Sequence, residues 1–173
     1  LPWRHPWPRA CGAAPQPCAT PGTACFEPHD WGGVPGIFKR LTDQAGLNYD
    51  VSHSTRNAAT LRGQFLNTAN AKWDMRGNIA SQKWDVVVLQ QGPSALPESQ
   101  VDLRTWAQRW SDEIRAHGAT PALLTVWPES YRQWALRDVI RSYGGAAYAS
   151  HAAVFPAGVA WQRAWNRNPR LPL

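Results

Sequence analysis

The chain has 173 residues, a formal net charge of +6 and an apolar share of 43%. That is long enough to bury the core of one domain, and no stretch reaches the ~20 apolar residues that span a bilayer. Only three of the 18 basic residues are lysines, and the arginines lie scattered among acidic residues apart from Arg163, Arg167 and Arg170, so neither a membrane nor a nucleic-acid partner is expected. Residues 1–31 hold seven prolines, all three cysteines (Cys11, Cys18, Cys25) and no periodic pattern. Such a stretch cannot offset its ordering entropy by burial, and it is expected to be irregular or disordered. No secretory signal peptide is expected within it, and the cysteines lack the C-x-x-C pairs of a structural metal site, so no metal and no cofactor are expected.

From residue 32 onward the pattern becomes regular, and residues 32–173 are expected to form one domain. Ile37 to Ala45 has helical spacing and Gly46 supplies a C-terminal stop. Asn48–His53 is a short strand candidate, and Thr60–Asn70 reads as a helix. Trp84-Asp85-Val86-Val87-Val88-Leu89 is a β-branched run that suits a parallel strand covered on both faces. Ser99 is placed to cap a long helix whose Leu103, Trp106, Ala107, Trp110 and Ile114 fall on one side. Pro121–Val126 is the next strand. A helix over Tyr131–Tyr143 follows, with Leu136, Val139, Ile140 and Tyr143 inward and Gly144-Gly145 as its stop. Ala152–Pro156 is a last strand, and a final helix starts at Gly158. Strands alternating with helices specify an α/β fold with a mostly parallel sheet and helices on both faces, and in such sheets sites gather outside the carboxyl ends of the strands.

Those ends lie near His53, Gln90–Ser94, Trp127–Ser130 and Pro156. No G-x-G-x-x-G, P-loop, G-x-S-x-G or H-E-x-x-H pattern is present, which removes dinucleotide, P-loop, nucleophile-elbow and zincin chemistry. The five histidines (His5, His29, His53, His117, His151) are isolated, and His53 is the one placed at a strand end. The segment Leu89-Gln90-Gln91-Gly92-Pro93-Ser94 carries a buried strand into side-chain amides. Such donors can stabilise a developing oxyanion, an interaction worth ~3 kcal/mol per donor in known enzymes. The alternative is a polar turn that only caps the strand. Eleven tryptophans are many for this length; they serve as core, or as a platform on which sugars stack.

Gly32-Gly33-Val34-Pro35-Gly36-Ile37-Phe38, Tyr49-Asp50-Val51-Ser52, Thr60-Leu61, Trp84–Gln91, Gly118–Leu124 and Asn168–Leu173 together resemble, in order, successive pieces of the SGNH (GDSL-like) hydrolases. The resemblance covers residues 31–173. It implies a flavodoxin-like three-layer α/β/α fold, and an esterase acting on acyl or acetyl esters of small molecules or carbohydrates. It also implies an oxyanion role for Gln90 and Gln91, which stand where the family has Gly-x-Asn-Asp, and for Asn57, near the second block. His53, Ser94 and Trp127 are expected in the cleft. The family's first block, Gly-[Asp/Asn]-Ser, should precede Trp31, where no serine occurs, and its Asp-x-x-His should follow soon after Leu173. The expectation is a degenerate or truncated hydrolase, with an altered reading frame upstream of Trp31 and a premature stop. No catalytic residue is assigned. The alternative function is a non-catalytic module that binds carbohydrate or another ligand in a Trp-rich cleft.

Overall fold

The computed structural model describes residues 33–55, 58–67 and 73–171. They fall into two compact units, one ending at Tyr49 and the other running from Asp50. The expectations for residues 1–31, including the cysteines, lie outside the described residues.

In the first unit α1 spans Gly33–Gln44. Pro35 is harmless there, because the first turn of a helix has no intrahelical use for its N–H. The helix ends as expected: Gly46 takes φ +72 and its N–H reaches the Asp43 carbonyl at 3.0 Å. Phe38 packs against Tyr49 with ring centroids 5.9 Å apart. The strand expected over Asn48–His53 is absent. Alternation alone does not hold a strand; it needs a ladder partner, and this segment pairs with no strand among the described residues.

The second unit is an α/β domain. Its elements are α2 (Leu61–Phe65), α3 (Met75–Ala80), β1 (Val86–Leu89), α4 (Pro97–Ala116), β2 (Thr120–Leu124), a 3₁₀ segment (Ser130–Ala135), α5 (Leu136–Ser150), β3 (Ala153–Phe155) and α6 (Ala157–Arg167). The three strands form a parallel sheet in the order β1-β2-β3, with Val86 beside Thr120, Leu89 beside Leu123 and Leu124 beside Phe155. No described helix is long and apolar enough to cross a membrane.

Helix α4 is the core's main contributor. Leu103, Trp106, Ala107, Trp110 and Ile114 are all buried, as their spacing requires. Each large side chain so buried stabilises by ~1.5–3 kcal/mol against exposure. The helix begins two residues before Ser99, at Pro97, whose fixed φ suits the first helical position. Ser99 is therefore not the cap; its hydroxyl donates to the Leu96 carbonyl at 2.8 Å. Thr60 and Asp74 do cap, accepting from the N–H groups of Gly63 (3.0 Å) and Gly77 (2.8 Å). The short helix α3 escaped the periodicity reading because only Ile79 is buried in it.

Helix α5 corrects two expectations. It continues through Gly144-Gly145 to Ser150, and the chain turns instead at His151, in the left-handed conformation (φ 50). A glycine pair costs helix stability but can be carried by packing. Here Ala146 and Ala147 are buried directly after it, and α5 lies along α4. The side chain of Arg115 on α4 donates to the carbonyls of Ser150 and, at 3.0 Å, His151, and so satisfies the end of α5. Ile140 is 36% exposed, not inward, whereas Leu136, Val139 and Tyr143 are buried.

Successive strand residues face opposite sides of the sheet. Leu89 and Leu123 point into the core with α4 and α5, and Val87 packs against it. On the other face Val86 and Val88 are 46% and 44% exposed, so the described residues cover β1 on one face where its composition suggested two.

Tyr143 fastens α5 to the carboxyl end of β1. Its hydroxyl donates to the Gln91 carbonyl at 2.7 Å, lies 3.1 Å from the Gly92 carbonyl, and accepts from the Gln91 N–H at 3.2 Å. Burial pushes its ionisation far above the ordinary tyrosine value of 10.0, although the bond to Gln91 pulls the other way. Tyr143→Phe leaves buried backbone groups unpaired and is expected to cost about 1–3 kcal/mol, read as a lower urea midpoint. The unfolded tyrosine ionises near pH 10.0 while the folded one stays neutral, so the unfolded state binds fewer protons above that pH. Tyr143's contribution is complete below that pH and declines above it, and the stability gap between native chain and variant should narrow in the same range. A second prediction concerns Gly158, where an added Cβ would stand 2.3 Å from the Val126 carbonyl oxygen. Gly158→Ala must push α6 off the end of β2, at a cost of about 1–3 kcal/mol visible as a lower melting temperature.

Candidate functional site

A parallel sheet delivers the ends of all its strands to one edge, and the loop after β1 emerges there. Gln90 is exposed. Gln91 is buried and ties the loop to two neighbours: its Oε1 accepts from the Leu61 N–H (2.9 Å), and its Nε2 donates to Ser94 Oγ (2.9 Å). Leu61 is the first residue of α2, where N–H groups have no intrahelical acceptor, so the Gln91 amide completes that helix end. The Leu61 carbonyl accepts in turn from the Trp110 indole at 2.9 Å. Together with Tyr143, these bonds join the loop to α2, α4 and α5.

Ser94 is held in the left-handed region, φ 53, and its hydroxyl donates to the Gly92 carbonyl at 3.1 Å. Such a conformation costs a non-glycine residue ~1 kcal/mol or more and is retained where surroundings over-determine it; here the Gln91 amide does so. The arrangement makes a rigid polar lip after β1. It offers amides and a hydroxyl but no base. Among the described residues no serine hydroxyl is hydrogen-bonded to a histidine, and His53 is exposed with no hydrogen-bond or ion-pair partner. The Ser54 hydroxyl is buried without a partner. Asn57 lies outside the described residues. An unactivated hydroxyl is a weak nucleophile, and the described residues around this loop hold side-chain amides without an acid–base pair.

Trp127 follows β2, and the same edge brings it against α6. Its ring centroid lies 5.0 Å from that of Trp161, at an interplanar angle of 49°. With Trp165, Gln133 of the 3₁₀ segment, Leu136 and Gly158, they line a shallow groove. Of these, only Trp127 was expected at a strand end. The four-residue spacing of Trp161 and Trp165 put both on one side of α6 and was the available signal. Nothing local marked Gln133, because the 3₁₀ segment carrying it breaks helical geometry at Arg132 (φ −123). Nor did anything local mark Tyr143 as the anchor of the β1 loop.

No protein-family model matches the chain, and no curated protein matches it. Among solved structures, a candidate SGNH hydrolase from Slackia heliotrinireducens superposes with a TM-score of 0.61 at 17% identity, over 76% of this chain and 76% of that one. A likeness at that identity is a likeness of fold: the chain shares an α/β architecture with a protein named as an SGNH-type hydrolase.

Proposed function

We propose that the chain is an SGNH-type hydrolase lineage member whose chemistry is the cleavage of ester bonds, and that its described residues supply the oxyanion side of the site. The observation that carries this reading is the polar lip after β1, where Gln90 and Gln91 stand at the carboxyl edge of a parallel sheet similar in fold to the Slackia protein. The substrate class is an acyl or acetyl ester of a small molecule or a carbohydrate. Asn57 would join the two glutamines as a further donor. Among the described residues no serine hydroxyl is paired with a histidine, so they are assigned no nucleophile.

The purified chain is therefore expected to hydrolyse 4-nitrophenyl acetate no faster than the buffer does. The gene, translated in all frames, is expected to encode Gly-[Asp/Asn]-Ser upstream of the Trp31 codon and Asp-x-x-His downstream of the Leu173 codon. A chain rebuilt with both should hydrolyse the ester and lose activity when the restored serine becomes alanine. In that rebuilt enzyme Gln90→Ala should lower kcat by roughly 10²-fold with the fold intact, the effect of removing one oxyanion donor. Absence of both blocks from the gene would overturn the reading, as would turnover by the present chain that depends on Ser52, Ser54 or Ser94.

A further inference from the structure

The groove at the ends of β2 and β3 is built of groups that the polar lip does not use. Trp127 and Trp161 form its tilted aromatic wall, and both are half-buried, with neither indole N–H bonded to a described residue. The Gln133 side-chain amide likewise has no partner among the described residues. Two other donors are already engaged: Trp165 Nε1 donates to the Leu171 carbonyl at 2.9 Å, and Gln162 Nε2 to Asn166 Oδ1 at 2.8 Å. Leu136 and Gly158 contribute apolar surface beneath. Among the described residues no Asp, Glu, Lys or Arg lines the groove.

These features select an occupant. Apolar walls want a face without polar atoms, two indole N–H groups want acceptors at the edge of that face, and a free amide wants a partner that donates and accepts. The absence of lining charge gives an ion nothing to pair with and leaves a carboxylate or phosphate uncompensated. A pyranose ring meets the whole set: its axial C–H groups make an apolar face and its hydroxyls ring the edge. The groove is open and shallow, which suits a sugar within a chain better than a ligand that must be enclosed. It also stands at the same carboxyl edge of the sheet as the Gln90–Ser94 loop.

We propose that the Trp127–Trp161 groove is a stacking subsite for one pyranose residue of a neutral glycan, with Gln133 hydrogen-bonding its hydroxyls. This goes beyond the ester-hydrolase reading and does not rest on it, because the groove binds without turnover.

The test titrates the whole chain, ¹⁵N-labelled at the tryptophan indoles, with xylohexaose and with cellohexaose. The indole resonances of Trp127 and Trp161, assigned by single substitution, should shift in a saturable manner at ~1 mM sugar or below, and the affinity should not change with salt. Trp161→Ala and Gln133→Ala should each weaken binding roughly tenfold, and Trp161→Phe less than Trp161→Ala. Trp134→Ala, on the same 3₁₀ segment but 74% exposed outside the groove, should leave binding unchanged. Should Trp161→Ala fail to fold by circular dichroism, Gln133→Ala and Trp161→Phe decide. Unmoved indole resonances with both sugars would overturn the proposal. So would binding that survives the groove substitutions, or steep salt dependence. Glycan binding by a chain with no esterase activity supports the subsite while leaving the hydrolase reading to the rebuilt enzyme.

Discussion

The tyrosine hydroxyl at position 143 is the point on which the carboxyl edge of the sheet depends. A strand that ends in a polar loop must satisfy its last backbone groups without a ladder. At the end of β1 one buried side chain from α5 does this, accepting from the Gln91 N–H and donating to its carbonyl. The Gln91 side chain is then free to reach the other way, to the start of α2 and to Ser94. Without that anchor the left-handed backbone at Ser94 would lose the partner that keeps it in place. The network is fully paired at every member named here, the condition under which buried polar groups rigidify a structure and do not weaken it.

Under the proposed ester-hydrolase reading, that rigidity would have a chemical use. Oxyanion stabilisation works when donors are aimed in advance, so that no reorganisation is needed as charge develops. Gln91 achieves stiffness by using its amide in structural bonds, while Gln90 stays exposed beside it. Gln91 thus holds the loop with its amide oxygen and one of its two amide hydrogens, keeping the second for the proposed donor role, and Gln90 faces outward. The aromatic groove at the ends of β2 and β3 needs no comparable network, since Gly158 brings α6 close by removing a side chain. Its N–H donates to the Thr125 carbonyl at 3.0 Å and lies 3.2 Å from the Thr125 hydroxyl.

Much of the fold was legible in the sequence where one element carries its own signal. The stripe on α4 and the valine run of β1 announce themselves, because burial on one side of a helix or on a strand leaves a local period. Asn48–His53 also alternates, yet a strand exists only with a partner, and no local pattern reveals one. Gly144-Gly145 read as a stop because glycine is a poor helix former, but buried alanines beside α4 outweigh that cost. The site was legible to the same degree. Gln90, Gln91 and Trp127 follow apolar runs and so stand at strand ends. Tyr143 meets Gln91, and Trp161 meets Trp127, only through tertiary structure, and Tyr143 looked like one more inward residue of an amphipathic helix.

The order β1-β2-β3 means that each strand pairs with the next one along the chain. Each parallel pairing must first close a crossover, and the entropy of closing a flexible loop rises only logarithmically with its length. The first crossover is scarcely flexible. Helix α4 fills 20 of its residues and is a rod ~30 Å long. Once that rod forms, few free joints remain between Leu89 and Thr120, and the search for register becomes a hinge motion of two short linkers. The second crossover holds α5 in the same way. Helix formation in the two crossovers thus leaves the strands a shorter conformational search for their register.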